Sequence, residues 1–107
     1  MKTVSITIPA YNEEFLIYDS VNKLLNFCEN NLQNYDWKII IADNNSTDRT
    51  AEIAKKLEGE SNGKIFYKFI PPKGKGLAIR ESWRDFDADF YVFMDADLAT
   101  DLAALPV

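Results

Sequence analysis

Four short segments of the chain are dense in β-branched and aromatic residues and end in Pro, Gly, Asn or Asp. They are "TVSITI" (3–8), "WKIIIA" (37–42), "KIFYKFI" (64–70) and "DFYVFM" (89–94). Segments of that length and make-up predict strands. Between them the apolar spacing changes from two to three and four. Ile17, Val21, Leu24, Leu25, Cys28 and Leu32 share one face of a helix predicted over 13–31. A second helix is predicted over 48–58, with Ile53, Ala54 and Leu57 inward, Ser46 and Thr47 as candidate caps and Gly59 as its stop. A third is predicted over 76–86, with Ile79, Trp83 and Phe86 inward, and a short fourth starts at Thr100 and ends before Pro106.

Strand alternating with helix implies parallel pairing through right-handed crossovers. The expected fold is therefore α/β, a three-layer sandwich with a parallel sheet of about four strands and helices on its faces. Ligands of such sheets bind beyond the carboxyl ends of the strands, where the strand order reverses. The polar clusters of this chain gather at those ends. "PAYNEE" follows the first strand, "DNNSTD" the second, "PPKGKG" the third and "DADLATD" the fourth.

Each cluster has a chemical reading and a plainer one. Asp95 and Asp97, one residue apart after a buried strand, can turn toward one point and offer the oxygen ligands that Mg²⁺ or Mn²⁺ prefer; a solvated, helix-capping turn would use the same residues. Asp43 ends the second strand, where it is expected beside Asp95 and can accept from a nucleobase N–H or a ribose hydroxyl. Asn44, Asn45, Ser46 and Asp48 fit a turn that caps a helix and need no further role. Pro9 is expected to stop the first strand, and Tyr11 offers a ring for a base to lie against. Glu13 and Glu14 open the helix that follows, where the dipole favours negative charge. "PPKGKGLAIR" sets glycines and cations beside a helix start, which suits an anion. No Ser or Thr follows its lysines as a Walker loop requires, and Lys73, Lys75 and Arg80 taken singly read as solvated residues.

Composition narrows the chemistry further. The chain has no histidine, which removes histidine-based acid–base catalysis and most zinc sites. Its single cysteine, Cys28, lies on an apolar helical face and reads as a buried structural thiol. A net charge of −5 argues against a nucleic-acid surface, which needs clustered Lys and Arg. At 107 residues and 47% hydrophobic the chain fits one globular domain. Its apolar runs fall far short of the roughly 20 residues that cross a bilayer, and "MKTVSITIPA" lacks the core of a signal peptide, so a cytoplasmic location is expected.

Taken in order, "VSITIPAYNEE", "IIIADNNSTDRTAEIA", "GKGLAIRESW" and "YVFMDADLATDL" resemble the nucleotide-binding half of family 2 glycosyltransferases with the GT-A fold, above all the polyprenyl (dolichyl) phosphate sugar synthases. The resemblance implies a UDP- or GDP-sugar donor and Mg²⁺ or Mn²⁺. It places Pro9, Ala10, Tyr11 and Glu13 around the nucleoside and gives Asp43 the base. Asp95 and Asp97 become the DxD pair, with the backbone of Ala96 near the ribose, and Lys75 and Arg80 match a GKGxAxR stretch. Ala99 stands where mannosyl members of the group commonly carry a Gln ligand, which favours a glucosyl donor. The resembled domains run to about twice this length. Residues 1–107 are therefore expected to be the nucleotide-sugar-binding part of a domain truncated at its C-terminus, with the acceptor site and the catalytic base missing and little transfer by this part alone. In the full enzyme a polyprenyl phosphate would attack the anomeric carbon with inversion, at the membrane face. The free edge and aromatic face of "FYVF" would favour self-association. Haloacid-dehalogenase-type phosphatases also carry DxD after a strand, but need Thr or Val at the position of Ala99 and place the motif early in the chain. The remaining alternative is a noncatalytic nucleotide-sugar-binding or structural α/β fragment.

Overall fold

A computed structural model describes residues 1–70 and 88–95. In chain order these form β1 (Lys2–Ala10), α1 (Ile17–Asn31), β2 (Tyr35–Asp43), α2 (Thr50–Glu60), β3 (Ile65–Phe69) and β4 (Phe90–Phe93). The four strands make one parallel sheet in the order β3-β2-β1-β4. The fold is the expected α/β arrangement of a parallel sheet with flanking helices. The helix expected over 76–86 and the one from Thr100 lie outside the described residues, and with them the third layer.

Register explains which side chains meet. Ile6 pairs with Ile39, so the even positions of β1 and the odd positions of β2 share a face. Val4, Ile6 and Ile8 there join Trp37, Ile39 and Ile41, together with Ile65 of β3. Onto this layer α1 sets Ile17, Val21, Leu24 and Cys28, and α2 sets Ala54 and Leu57. Each Val, Leu or Ile so buried contributes about 1.5–3 kcal/mol of transfer free energy, set against the entropy of ordering it. Buried as well, on the opposite face, are Ser5 and Thr7 of β1 and Ile40 and Ala42 of β2. Burial on both faces is why "IIIA" (39–42) is a continuous apolar run instead of an alternation.

The boundaries differ from expectation in four places, each for a local reason. Pro9 does not stop β1, which runs on to Ala10 with Pro9 opposite Ala42. The Thr7 carbonyl accepts from the Met94 N–H, so residues of that parity turn their amides toward β4, whose ladder ends at Phe93. The ladder to β4 therefore ends at Pro9, which has no N–H for the next step, while Ala10 continues the pairing with β2 on the other side. Helix α1 begins at Ile17, not at 13, because Glu13 acts through its backbone: its carbonyl accepts from the amides of Leu16 and Ile17 at 3.0 and 2.8 Å. Helix α2 passes through Gly59 to Glu60. The chain reverses instead at Asn62 and Gly63, with φ of 55° and 84°, the left-handed region that Asn and Gly adopt most easily. Neither Ser46 nor Thr47 caps α2. Arg49 is the N-cap residue, and Asp48 just before it accepts from the first helical amide, that of Thr50, at 2.9 Å and from the Thr50 hydroxyl at 2.6 Å.

Candidate functional site at the carboxyl rim of the sheet

The chain winds outward from β1 through β2 to β3, then returns to the other side of β1 for β4. The order therefore reverses between β1 and β4, and the crevice beyond their carboxyl ends is where an α/β sheet takes a ligand. Phe93 is level with Thr7, and the Met94 amide donates to the Thr7 carbonyl at 2.9 Å. Asp95 thus leaves the sheet beside Pro9, half-buried, at the reversal point. Asp43 is not its neighbour, as the sequence had suggested. It pairs with Ala10, so β1 separates the two carboxylates. Strand alternation alone carries no information on strand order, and that is where the expectation went wrong.

Two loops build the rim on the β2 side, and they are joined. The Asn12 amide donates to the Ser46 hydroxyl at 3.0 Å, and the Asn12 side-chain oxygen accepts from the Thr47 N–H at 2.8 Å. The Glu13 N–H donates to the Thr50 hydroxyl at 2.8 Å and the Glu14 N–H to Asp48 at 3.2 Å. The Asn44 amide continues the sheet ladder, donating to the Ala10 carbonyl at 2.8 Å. Asn12 and Asn45 hold φ of 53° and 62°, strained for most side chains and tolerated by Asn. At Asp48, burial raises the carboxyl pKa, but the hydrogen bonds from Thr50 and Glu14 outweigh it and leave the group below its usual value.

Among the described residues Asp43 is the most enclosed carboxylate of the rim, 1% exposed. One oxygen accepts from the Ser46 N–H at 3.0 Å and the other from the Tyr67 hydroxyl at 2.7 Å. Tyr67 is itself braced by α2: its N–H donates to Glu58 at 3.0 Å, and the Lys55 ammonium lies 5.3 Å from its ring centroid. Burial, and then the Asp43 carboxylate, raise the phenol well above the usual tyrosine range, so the hydroxyl remains a donor. The Asn44 side-chain oxygen is buried and has no hydrogen-bond partner among the described residues.

The structure thus brings Pro9, Ala10, Tyr11, Glu13, Asp43 and Asp95 to one rim, with Tyr11 42% exposed. Lys75, Arg80, Ala96 and Asp97 lie outside the described residues. Among the described residues no group of three or more acidic, Cys or His side chains is close enough to hold a metal ion. Asp95 offers the hard oxygen donor that Mg²⁺ or Mn²⁺ takes, at the place where the crevice opens. Sequence reasoning missed Tyr67 and gave Asn44 no role beyond the turn. The two-residue alternation from the buried Ile65 could have placed Tyr67 inward, but nothing local reveals that its hydroxyl meets Asp43, 24 positions earlier.

A crevice at the reversal point of a parallel sheet, rimmed by acidic loops, is the general ligand site of an α/β domain, and comparison with known proteins gives the family. The pattern of Glycosyl transferase family 2 matches residues 5–106, and the chain belongs to that family. It is similar to Protein RfbJ of Shigella flexneri, 34% identical over 103 residues that cover 96% of this chain and 70% of that protein. It is also similar to a dolichol-phosphate mannosyltransferase of Pyrococcus furiosus, 33% identical over 95 residues that cover 89% of this chain but 26% of that protein. Among solved structures it matches glucosyl-3-phosphoglycerate synthase of Mycobacterium tuberculosis in complex with UDP, with a TM-score of 0.69 and 27% identity, covering 91% of this chain and 34% of that one. A further structure of that synthase, in complex with Mn²⁺, UDP and glucosyl-3-phosphoglycerate, matches with a TM-score of 0.63 and 25% identity over 89% of this chain and 33% of that one.

Proposed function

We propose that the chain is the donor-binding part of a nucleotide-diphospho-sugar-dependent glycosyltransferase, and that the rim between β1, β2 and β4 holds the donor. The observation that carries this is the placement of Asp95 at the reversal point, beside the loop that presents Tyr11. Tyr11 lies against the base, Pro9 and Ala10 floor the nucleoside, Glu13 holds the loop, and Asp43 closes the base end. Asp95, with Asp97 and the backbone of Ala96 following it in sequence, faces the ribose and diphosphate, and Lys75 and Arg80 supply positive charge to the phosphates. Asp95 and Asp97 would hold Mg²⁺ or Mn²⁺, which neutralises charge on the departing diphosphate. The acceptor is a polyprenyl phosphate whose oxygen attacks the anomeric carbon from the face opposite the leaving group, inverting it. The relatives are mostly much longer than this chain, and the acceptor site and the catalytic base belong to such a longer protein, cytoplasmic and peripheral at the membrane face. No helix among the described residues is long and apolar enough to cross a membrane.

Calorimetric titration with UDP, GDP and their hexose conjugates, with and without Mn²⁺, tests this. Expected are measurable binding of at least one diphosphate, tighter with Mn²⁺, and a loss of about tenfold or more in Asp95→Asn, the scale of one charge-assisted contact. No heat with any of the ligands would leave a structural module in place of a donor site.

A further inference from the structure

The Asp43 carboxylate is buried, and among the described residues it makes no salt bridge. Its two oxygens take neutral donors, one from each side: the Ser46 amide of the adjoining loop and the Tyr67 hydroxyl of the neighbouring strand. An ionised carboxylate has about four lone-pair positions, so each oxygen has one beyond its donor among the described residues. A carboxylate on a strand end otherwise turns about its side-chain torsions. Here a donor on either oxygen fixes the plane, and α2 fixes Tyr67 in turn through Glu58 and Lys55.

We propose that Tyr67 is a positioning residue for base recognition, aiming the Asp43 carboxylate at the ring N–H that uracil and guanine carry and that cytosine and adenine lack. The assignment rests on the reading of this rim as the donor site. A carboxylate is acceptor-only. It attracts the N3–H of uracil or the N1–H of guanine, and it repels the ring-nitrogen lone pair that cytosine or adenine presents at the equivalent position. That discrimination requires a fixed carboxylate plane, since a freely turning group would meet the exocyclic amino group of cytosine or adenine as readily. The hydroxyl of a residue on β3, acting through Asp43, therefore sets which bases are accepted.

The test compares the chain with Tyr67→Phe, which keeps the ring, the Glu58 hydrogen bond to its backbone and the Lys55 contact and removes only the hydroxyl. Affinities for UDP, GDP, CDP and ADP are measured by calorimetry, thermal melting checks the fold, and amide exchange at Ser46 is followed by NMR without ligand. Expected for the unaltered chain is a preference for UDP over CDP, or for GDP over ADP, of about tenfold or more. In the variant that ratio narrows at least about threefold, and the Ser46 amide exchanges faster while amides of the central strands do not. A merely structural hydroxyl would lower all four affinities together and leave the ratio alone. An unchanged ratio, or unchanged Ser46 protection, overturns the role of Tyr67 while the donor site stands. Absence of binding by all four nucleotides to the unaltered chain overturns the donor site itself, and this assignment with it.

Discussion

Cys28 is fully buried in α1 among Val21, Leu24 and the sheet, and burial, with Glu29 adding to it, pushes its thiol up to about 12. A thiol held neutral in this way is a packing group, not a nucleophile. The native chain is expected to leave Cys28 unmodified by a thiol reagent at pH 8 over the time in which the urea-unfolded chain reacts fully, as read by absorbance. The sign of the pH effect on folding follows. Above the ordinary thiol value of 9.0 the unfolded state loses its proton and the folded state keeps it, so stability falls as pH rises from about 9 toward 12. At the same scale Asn12 joins two loops through both its backbone and its side chain. Asn12→Gly keeps the left-handed backbone and removes the bond to Thr47. The expected cost is about 1 kcal/mol in urea denaturation, less than Asn12→Ala, which adds backbone strain.

At the level of elements the apolar periodicity of α1 translated directly into packing, since Ile17, Val21, Leu24 and Cys28 all reach the core. Leu24→Ala leaves a cavity against the sheet and is expected to cost about 2–5 kcal/mol, measured as a shift of the denaturation midpoint at constant m-value. The element ends were less legible. Sequence made Ser46 and Thr47, two residues well suited to it, the candidate caps of α2, yet their groups serve the loop that follows β1. A cap is recognisable locally only when its acceptor serves its own helix, as Asp48 does. Pro9 and Gly59 erred for a related reason: each breaks an element only where its missing group is needed, and the neighbours that decide this are distant in sequence.

For the molecule as a whole, strand content and parallel pairing were readable from alternation, and the rim from the polar clusters at the strand ends. Strand order was not, so the neighbour expected for Asp43 was wrong and its true partner, Tyr67, went unseen. Long-range register is set by which faces can be buried together, a property of the assembled sheet. The expected exposure at the last strand does hold: Phe90 and Phe93 of β4 are 45% and 50% exposed, on an edge of the described sheet. Such an edge favours pairing with a second copy. Light scattering over a concentration series is expected to show mass rising above that of the monomer, and Phe93→Lys to suppress the rise; a constant monomer mass would count against it.

The clamp between the first and last described strands has a consequence for biosynthesis. Asp89 accepts from the Thr3 amide at 2.7 Å and returns its own N–H to the Thr3 carbonyl at 3.0 Å, 86 positions apart. The strand made first is thus the one that waits longest for its second neighbour. While a ribosome is still adding residues up to 88, the β4-facing polar backbone of β1 stays unpaired, so newly made chains are open to capture by chaperones, or by one another, until residues 89–93 emerge and close the gap.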